Sequence, residues 1–279
     1  MGRYAFKVDS DTLEFDAHAA TMFGEELHDQ YASAEPYHHI CIDNAFPEEI
    51  LEKIRQSVTQ SSSVDTEFSA AHEFKKSQRI PERLDQYSRN FFYTLNSRPF
   101  LKFLESLTGI NGLIPDPYFI GGGIHEVGTG GYLNIHADFN VHKPLNLERR
   151  LNVLIYMNRG WKEEYGGSFE IWDSNMKKKY SSFTPIFNRM VIFSTASDTM
   201  HGNPEPVAHP EGEPRRSMAL YYYTATWDAT RREHSTVFKG RPGSKDASGL
   251  PDRIDRIIDD VLPPIVNRQV KKVRRRLGV

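Results

Sequence analysis

The chain has 279 residues, a hydrophobic content of 38%, a net charge of −2 and a pI near 6.6. This length can bury one good core without requiring a second domain, and the near-neutral charge argues against a nucleic-acid-binding protein, which usually carries a strong positive balance. A single cysteine, Cys41, excludes an internal disulfide. No apolar run is long enough to span a membrane, and the first residues do not lead into the apolar core of a signal peptide. We therefore expect a cytoplasmic protein in a reducing compartment, without membrane contact.

Residues 1–115 are predicted to form an N-terminal support of helices and a short strand. The strand is expected at residues 38–43, and a helix begins after Pro47, with two acids in its first turn. The polar stretch 61–76 is predicted to be a mobile loop. Two further helices with apolar stripes that can pack on a sheet are predicted at residues 79–95 and 99–107.

Residues 116–227 are predicted to form a β-rich catalytic core, because short β-prone runs alternate with glycine turns. The glycines at 121–123 fit no nucleotide-binding pattern, so we interpret them as a bulged or tightly packed strand. Residues 228–279 are predicted to be a polar and helical extension of the same domain, with a helix around 252–261. The basic run at 271–276 is interpreted as a solvated helix end rather than a site for an acidic partner.

Two metal-ligand residue types, His136 and Asp138, lie two positions apart after a glycine-rich turn. Residues at i and i+2 of a strand point to the same face, so both can bind one metal ion while Ala137 packs away from it. His201 from a distant strand would complete a facial triad of two histidines and one carboxylate, the ligand set of non-haem Fe(II) oxygenases. The alternative is a hydrogen-bonded trio without a metal.

An arginine and a serine at alternate positions, Arg215 and Ser217, open a β-prone run fourteen positions after His201. On a strand they share a face, where a guanidinium fork and a hydroxyl can together hold a carboxylate. The even-numbered positions of residues 149–158 also share a face, so the Tyr156 hydroxyl could reach the same carboxylate. This pattern predicts an anchor for a dicarboxylate co-substrate.

Taken as a set, these motifs resemble the 2-oxoglutarate and Fe(II)-dependent oxygenases, most closely the prolyl-4-hydroxylase-like branch. The resemblance covers roughly a third of the chain, in family order and spacing. The segments that carry it are residues 124–125, 131–138, 150–158, 166–170, 201–202 and 215–223. It implies a mainly β, α+β fold, with a distorted double-stranded β-helix, or jelly roll, as the core, N-terminal helices packed on it and a C-terminal helical segment.

The resemblance also implies roles for individual residues. His136, Asp138 and His201 match the iron ligands. Arg215 matches the anchor of the distal carboxylate of 2-oxoglutarate, and Ser217 matches its helper in the R-x-S pattern of some relatives.

Further positions match the family less fully. Tyr156 matches a tyrosine that many members place on the same carboxylate, whereas His125 stands where many relatives have a tyrosine facing the co-substrate. The segment between His201 and Arg215 is longer than in the shorter prolyl hydroxylases, which leaves Arg216 as the alternative anchor. Two more residues have open roles: His142, within reach of the mouth, contacts the substrate or lies on the loop surface, and Trp172 lies in the barrel wall or lines the pocket.

The implied activity is oxidation of a substrate C–H bond coupled to decarboxylation of 2-oxoglutarate to succinate and CO2. Its cofactors are Fe(II), 2-oxoglutarate and O2, with ascorbate as a candidate reductant. Because related halogenases lack the carboxylate ligand, Asp138 favours hydroxylation or desaturation. The substrate is a small molecule or a peptide, with a prolyl residue, a free amino acid, a natural-product intermediate or a sugar as candidates.

Two alternatives from other classes stay open. A cupin-like metal-dependent isomerase or epimerase could use the same type of barrel, but it would not require Arg215 and Ser217 on the same face of a strand. A non-catalytic barrel that binds a ligand or a protein partner would leave the triad unexplained.

Overall fold

A computed structural model of the chain describes residues 4–60, 64–226 and 233–244. Within these ranges there are four α-helices: α1 Ala17–Ala32, α2 Glu48–Gln60, α3 Gln86–Leu95 and α4 Arg98–Thr108. The same ranges contain thirteen strands: β1 His39–Ile42, β2 Thr66–Ala70, β3 Glu73–Arg79, β4 Ile114–Pro115, β5 Gly123–Ala137, β6 Val141–His142, β7 Leu147–Tyr156, β8 Phe169–Trp172, β9 Lys179–Phe183, β10 Met190–Ser194, β11 Met200–Asn203, β12 Arg215–Thr224 and β13 Val237–Phe238. None of the helices in these ranges is both long and apolar enough to cross a membrane.

The strands form one antiparallel sheet that curls into a barrel-like core. Its main path runs β1-β10-β7-β12-β5-β11-β8-β9. The long strand β5 belongs to both sides of the barrel, because its first half pairs with β12 and its last residues pair with β11. This arrangement is the distorted double-stranded β-helix that the sequence predicts, and the fold prediction is confirmed.

The helices and one face of the barrel share a continuous apolar core. Helix α4 illustrates why, since its apolar residues recur at the spacing of one helical face. These residues are all fully buried: Phe100, Phe103, Leu104 and Leu107. Helices α1 and α4 cross closely at Gly24, where an added Cβ would lie 2.5 Å from the carbonyl oxygen of Phe103. The helices thus cover one face of the barrel and do not fill its interior.

The predicted short strand at 38–43 and the helices after Pro47 and at 99–107 are confirmed as β1, α2 and α4. Helix α1 was not predicted. The predicted helix at 79–95 starts only at α3, because Asp85 caps it by accepting hydrogen bonds from the backbone N–H groups of Tyr87 and Ser88. The predicted helix at 252–261 and the basic run at 271–276 lie outside the described residues.

The prediction of a mobile loop at 61–76 was wrong for residues 64–76, and residues 61–63 lie outside the described part of the chain. Strands β2 and β3 form a hairpin, and β3 continues the sheet by pairing with β5. Gly123 permits this close approach, since a Cβ there would lie 2.2 Å from the Arg79 carbonyl oxygen at a φ of +114°. The tightly packed strand predicted for the glycines at 121–123 is confirmed at Gly123, whereas Gly121 and Gly122 precede β5.

A buried carboxylate, Glu126 on β5, joins the hairpin to β12. It forms salt bridges of 2.6 Å with both Arg79 and Arg216, and its side chain is only 12% exposed. Removal of this charge leaves two buried guanidinium groups without their shared carboxylate. We therefore expect Glu126→Gln to lower the free energy of unfolding by about 3 kcal/mol in urea titrations. Glu213→Gln removes a 49% exposed partner of Arg216 and should cost less than about 1 kcal/mol. Equal losses would contradict this assignment.

Candidate metal and co-substrate site

The predicted triad converges at one end of the barrel. His136 lies at the end of β5, directly opposite His201 on β11, and Asp138 follows one residue beyond β5. The Nε2 atoms of His136 and His201 lie 3.5 Å and 3.2 Å from the two carboxylate oxygens of Asp138. One potential ligand atom from each residue lies within 4.8 Å of the others. As the period-two pattern predicts, Ala137 packs on the opposite side, in a separate apolar cluster with Ile135.

Backbone carbonyls orient both histidines toward a metal. The Nδ1 atom of His136 lies 2.8 Å from the carbonyl oxygen of Asn134, and that of His201 lies 3.0 Å from the carbonyl oxygen of Thr199. A carbonyl oxygen can only accept, so each Nδ1 carries the proton and each Nε2 presents its lone pair to the triad. Burial lowers the pKa of His201 although Asp138 opposes the shift, which favours the neutral, metal-binding form.

Asp138 is held as a carboxylate by its neighbours. Burial by itself would raise its pKa, but Arg149 and the two histidines outweigh that effect and hold the pKa well below the usual value. Its Oδ2 accepts a hydrogen bond of 2.7 Å from the Asn152 side chain and lies 3.1 Å from Nη2 of Arg149. The donor set of two imidazoles and one fixed carboxylate suits Fe(II).

The predicted carboxylate anchor lies at the other end of the same cavity. Arg215 is 4% exposed, and its Nε donates to the Gly167 carbonyl oxygen at 2.6 Å while its Nη2 donates to the Tyr156 hydroxyl at 3.3 Å. Ser217 lies opposite both Tyr156 and His125 in the sheet. Among the described residues, no carboxylate forms a salt bridge with Arg215, and burial lowers its pKa. A buried cation without an anion is suited to an acidic ligand.

The neighbouring arginine points the other way. Arg216 binds Glu126 and Glu213 on the outer face of β12, so the structure brings Arg215 and not Arg216 to the cavity. This placement agrees with the R-x-S phase.

His125 also lines the cavity, beside Ser217. Its Nε2 donates to the carbonyl oxygen of Gly121 at 2.8 Å. Burial and the nearby Lys76 charge hold its pKa well below the ordinary value for histidine. We therefore expect a neutral ring near pH 7.

The residues with open roles lie away from the cavity lining that the structure describes. His142 is fully buried, and its Nε2 lies 3.0 Å from an Asp116 carboxylate oxygen, so it does not lie on the loop surface, and it is not part of the described cavity lining. Trp172 is partly buried in the barrel wall, where its Nε1 donates to Glu170 at 2.8 Å and its ring packs on a separate apolar cluster.

Polar residues of the cavity that sequence reasoning missed include Arg149, Asn152 and Asn203. The cavity has a volume of about 250 Å³ and contains the triad, Arg215 and Ser217. The side-chain amide nitrogen of Asn203 and Nη1 of Arg149 are both buried there without a hydrogen-bond partner. Asn203 could have been found, because it lies two positions after His201 and shares its face. The two donors indicate that the cavity accommodates a ligand with acceptor atoms.

Comparisons with known proteins agree with this geometry. Residues 122–223 match the family model of the 2OG-Fe(II) oxygenase superfamily. The resemblance noted from the sequence motifs is thereby confirmed. Curated protein sequences give no match to the chain.

Several solved structures share the fold at low identity. A prolyl hydroxylase from Trichoplax adhaerens, in complex with a hypoxia-inducible-factor peptide fragment, gives a TM-score of 0.55 at 16% identity, covering 74% of this chain and 91% of that one. A Pseudomonas putida prolyl-4-hydroxylase gives 0.50 at 13% identity, with 72% and 99% covered. HygX from Streptomyces hygroscopicus, with nickel, 2-oxoglutarate and hygromycin B bound, gives 0.52 at 11% identity, with 76% and 96% covered.

Proposed function

We propose that this protein is an Fe(II)- and 2-oxoglutarate-dependent oxygenase that hydroxylates an unactivated C–H bond. The observation that carries the proposal is one cavity with a histidine–aspartate–histidine cluster near one end and a buried arginine without a carboxylate partner at the other. The family match over the barrel core supports it independently.

His136, Asp138 and His201 would hold the iron on one side and leave the opposite coordination positions free. When bound, iron and 2-oxoglutarate supply oxidation of a substrate C–H bond by O2, coupled to decarboxylation of the co-substrate to succinate and CO2. We keep ascorbate as the proposed reductant. Asp138 favours hydroxylation, or desaturation, over transfer of a halide.

The protein's own contribution is to bind and orient the co-substrate. Arg215 would form a charge-assisted pair with its distal carboxylate, and Ser217 and Tyr156 would donate hydrogen bonds to the same group. Burial raises the pKa of Tyr156 to about 12, so its hydroxyl keeps its proton at neutral pH. His125 and Asn203 line the same cavity and would contact the rest of the molecule.

The position of Arg215 depends on Gly167. A Cβ at Gly167 would lie 2.8 Å from Cδ of Arg215, at a φ of +68°. We therefore expect Gly167→Ala to displace the guanidinium and weaken 2-oxoglutarate binding at least about tenfold by calorimetry. Gly160→Ala is the matched control, since it has a similar φ of +62° but no neighbour within 4 Å. Equal affinities of the two variants would contradict the proposed anchor.

The shared fold supports both substrate classes, since one similar protein is bound to a peptide and another to hygromycin B. The cupin-like isomerase and the ligand-binding barrel remain the alternatives. The isomerase leaves the buried Arg215 without a role, and the ligand-binding barrel leaves the triad without one.

A direct test uses protein purified without oxygen. After addition of Fe(II), 2-oxoglutarate should produce a weak visible charge-transfer band, and exposure to air should then release succinate. 2-Oxobutanoate, which lacks the distal carboxylate, is the control and should give no band at the same concentration. The absence of both signals would leave the binding barrel as the better hypothesis.

A further inference from the structure

Arg149 enters the cavity because of a β-bulge in β7. Tyr222 lies opposite Leu151 and Tyr223 lies opposite Arg149, so that Arg150 has no partner on β12 between them. The extra residue reverses the side-chain alternation and turns Arg149, instead of Arg150, toward the interior. Bulges often re-aim a side chain beside a functional site.

The guanidinium of Arg149 is only partly satisfied. Its Nε and Nη2 donate to the Asn152 side-chain oxygen at 2.9 Å and 2.7 Å, and Nη2 also lies 3.1 Å from Asp138. The Tyr221 and Phe139 rings lie 3.5 Å and 4.5 Å from its central carbon. Among the described residues, Nη1 has no hydrogen-bond partner, although Arg149 is 2% exposed. A buried donor of this kind normally has an acceptor, and a ligand in the cavity would supply one.

Arg149 and Arg215 serve different groups. Arg215 contacts Tyr156, whose backbone lies seven residues and roughly 20 Å along β7 from Arg149. Arg149 instead touches Asp138 and lies beside the triad. The distal carboxylate of 2-oxoglutarate at Arg215 therefore leaves Nη1 of Arg149 free.

The charges in the cavity favour an anion as the missing acceptor. Among the charged residues that line it, Glu73 and Lys76 form a salt bridge and cancel, which leaves one carboxylate, Asp138, against two guanidinium groups. Fe²⁺ and doubly charged 2-oxoglutarate would cancel each other, so one positive charge remains. A neutral carbonyl would satisfy the donor but not this charge.

We propose that the substrate is a carboxylic acid whose carboxylate binds Nη1 of Arg149 beside the triad. This inference rests on the proposed function, because it assigns the remaining space near the iron ligands to the substrate. It favours a free amino acid or another small acid over an internal residue of a peptide, whose carbonyl groups are neutral.

The test uses acetate and acetamide as probes of equal shape. Protein loaded with Zn(II), which is redox-inert, is titrated with each probe by calorimetry, with and without saturating 2-oxoglutarate. We expect acetate to bind at least about tenfold more tightly than acetamide to the wild type. This preference should disappear in Arg149→Gln and persist in Arg150→Gln, where the neighbouring side chain on the other face is changed.

The outcomes are separable. No preference for acetate in the wild type, or an unchanged preference in Arg149→Gln, would overturn the inference, as would an equal loss of 2-oxoglutarate binding in that variant. If Arg149→Gln fails to fold, Arg149→Met, which also lacks the charge, replaces it, and the contrast between acid and amide in the wild type stands without any variant. Failure of the wild type to bind 2-oxoglutarate would instead count against the proposed function.

Discussion

Asp138→Ala is expected to abolish succinate formation. Changing a residue that only hydrogen-bonds to a metal ligand already lowers metal affinity or activity by about 10- to 100-fold. Loss of the ligand itself should therefore lower the turnover rate by more than about 100-fold. The variant also removes the carboxylate that lies 3.1 Å from Arg149 and within 3.5 Å of both histidines. We expect iron content after dialysis to fall together with the rate, as measured by metal analysis and a succinate assay.

Asp198→Ala is the control for this experiment. Asp198 is an exposed carboxylate three residues before His201, and its removal should leave the rate and the iron content unchanged. Thermal unfolding of both variants separates loss of the ligand from loss of the fold. If Asp138→Ala keeps an intact rate of succinate production, the proposed ligand set is wrong.

Arg215→Ala is expected to weaken 2-oxoglutarate binding while iron binding is retained. Removing one partner of a buried charge pair costs about 2–5 kcal/mol, which corresponds to a rise of at least about 30-fold in the dissociation constant. Because Arg215 contacts Gly167 and Tyr156 rather than the triad, the metal site should be preserved. Calorimetry of the Zn(II)-loaded protein measures the first effect, and metal analysis measures the second.

Arg216→Lys tests the alternative anchor. Arg216 points to the outer face, where it binds Glu126, so a lysine there should leave 2-oxoglutarate affinity unchanged. An unaltered affinity in Arg215→Ala, together with a loss in Arg216→Lys, would move the anchor to Arg216.

The shared face of His136 and Asp138 was predictable because it depends on local geometry. Alternation along a strand puts His136 and Asp138 on one face wherever that strand lies, and the same rule pairs Arg215 with Ser217. His201 is different, because its register opposite His136 is a long-range contact. Its distance in sequence carries no geometric information, and only the resemblance to known oxygenases linked it to the other two.

The hairpin formed by β2 and β3 shows where composition misleads. Its residues are polar because β2 is mostly exposed, so the alternation that marks a half-buried strand is missing. The hairpin exists because β3 pairs with β5, and Gly123 leaves room for that pairing. A pairing between distant segments cannot be read from either segment alone.

The residue types of the triad, the R-x-S phase and the fold class could be predicted from the sequence. The tertiary structure confirmed Arg215 over Arg216, and it alone decided that Arg149 rather than Arg150 faces the cavity. For Arg215 the regular alternation held, whereas at Arg149 the bulge reversed it. No local residue pattern predicts that Arg150 is the extra residue of a bulge. Side-chain direction on a strand follows register, and register is set by the partner strand across the sheet.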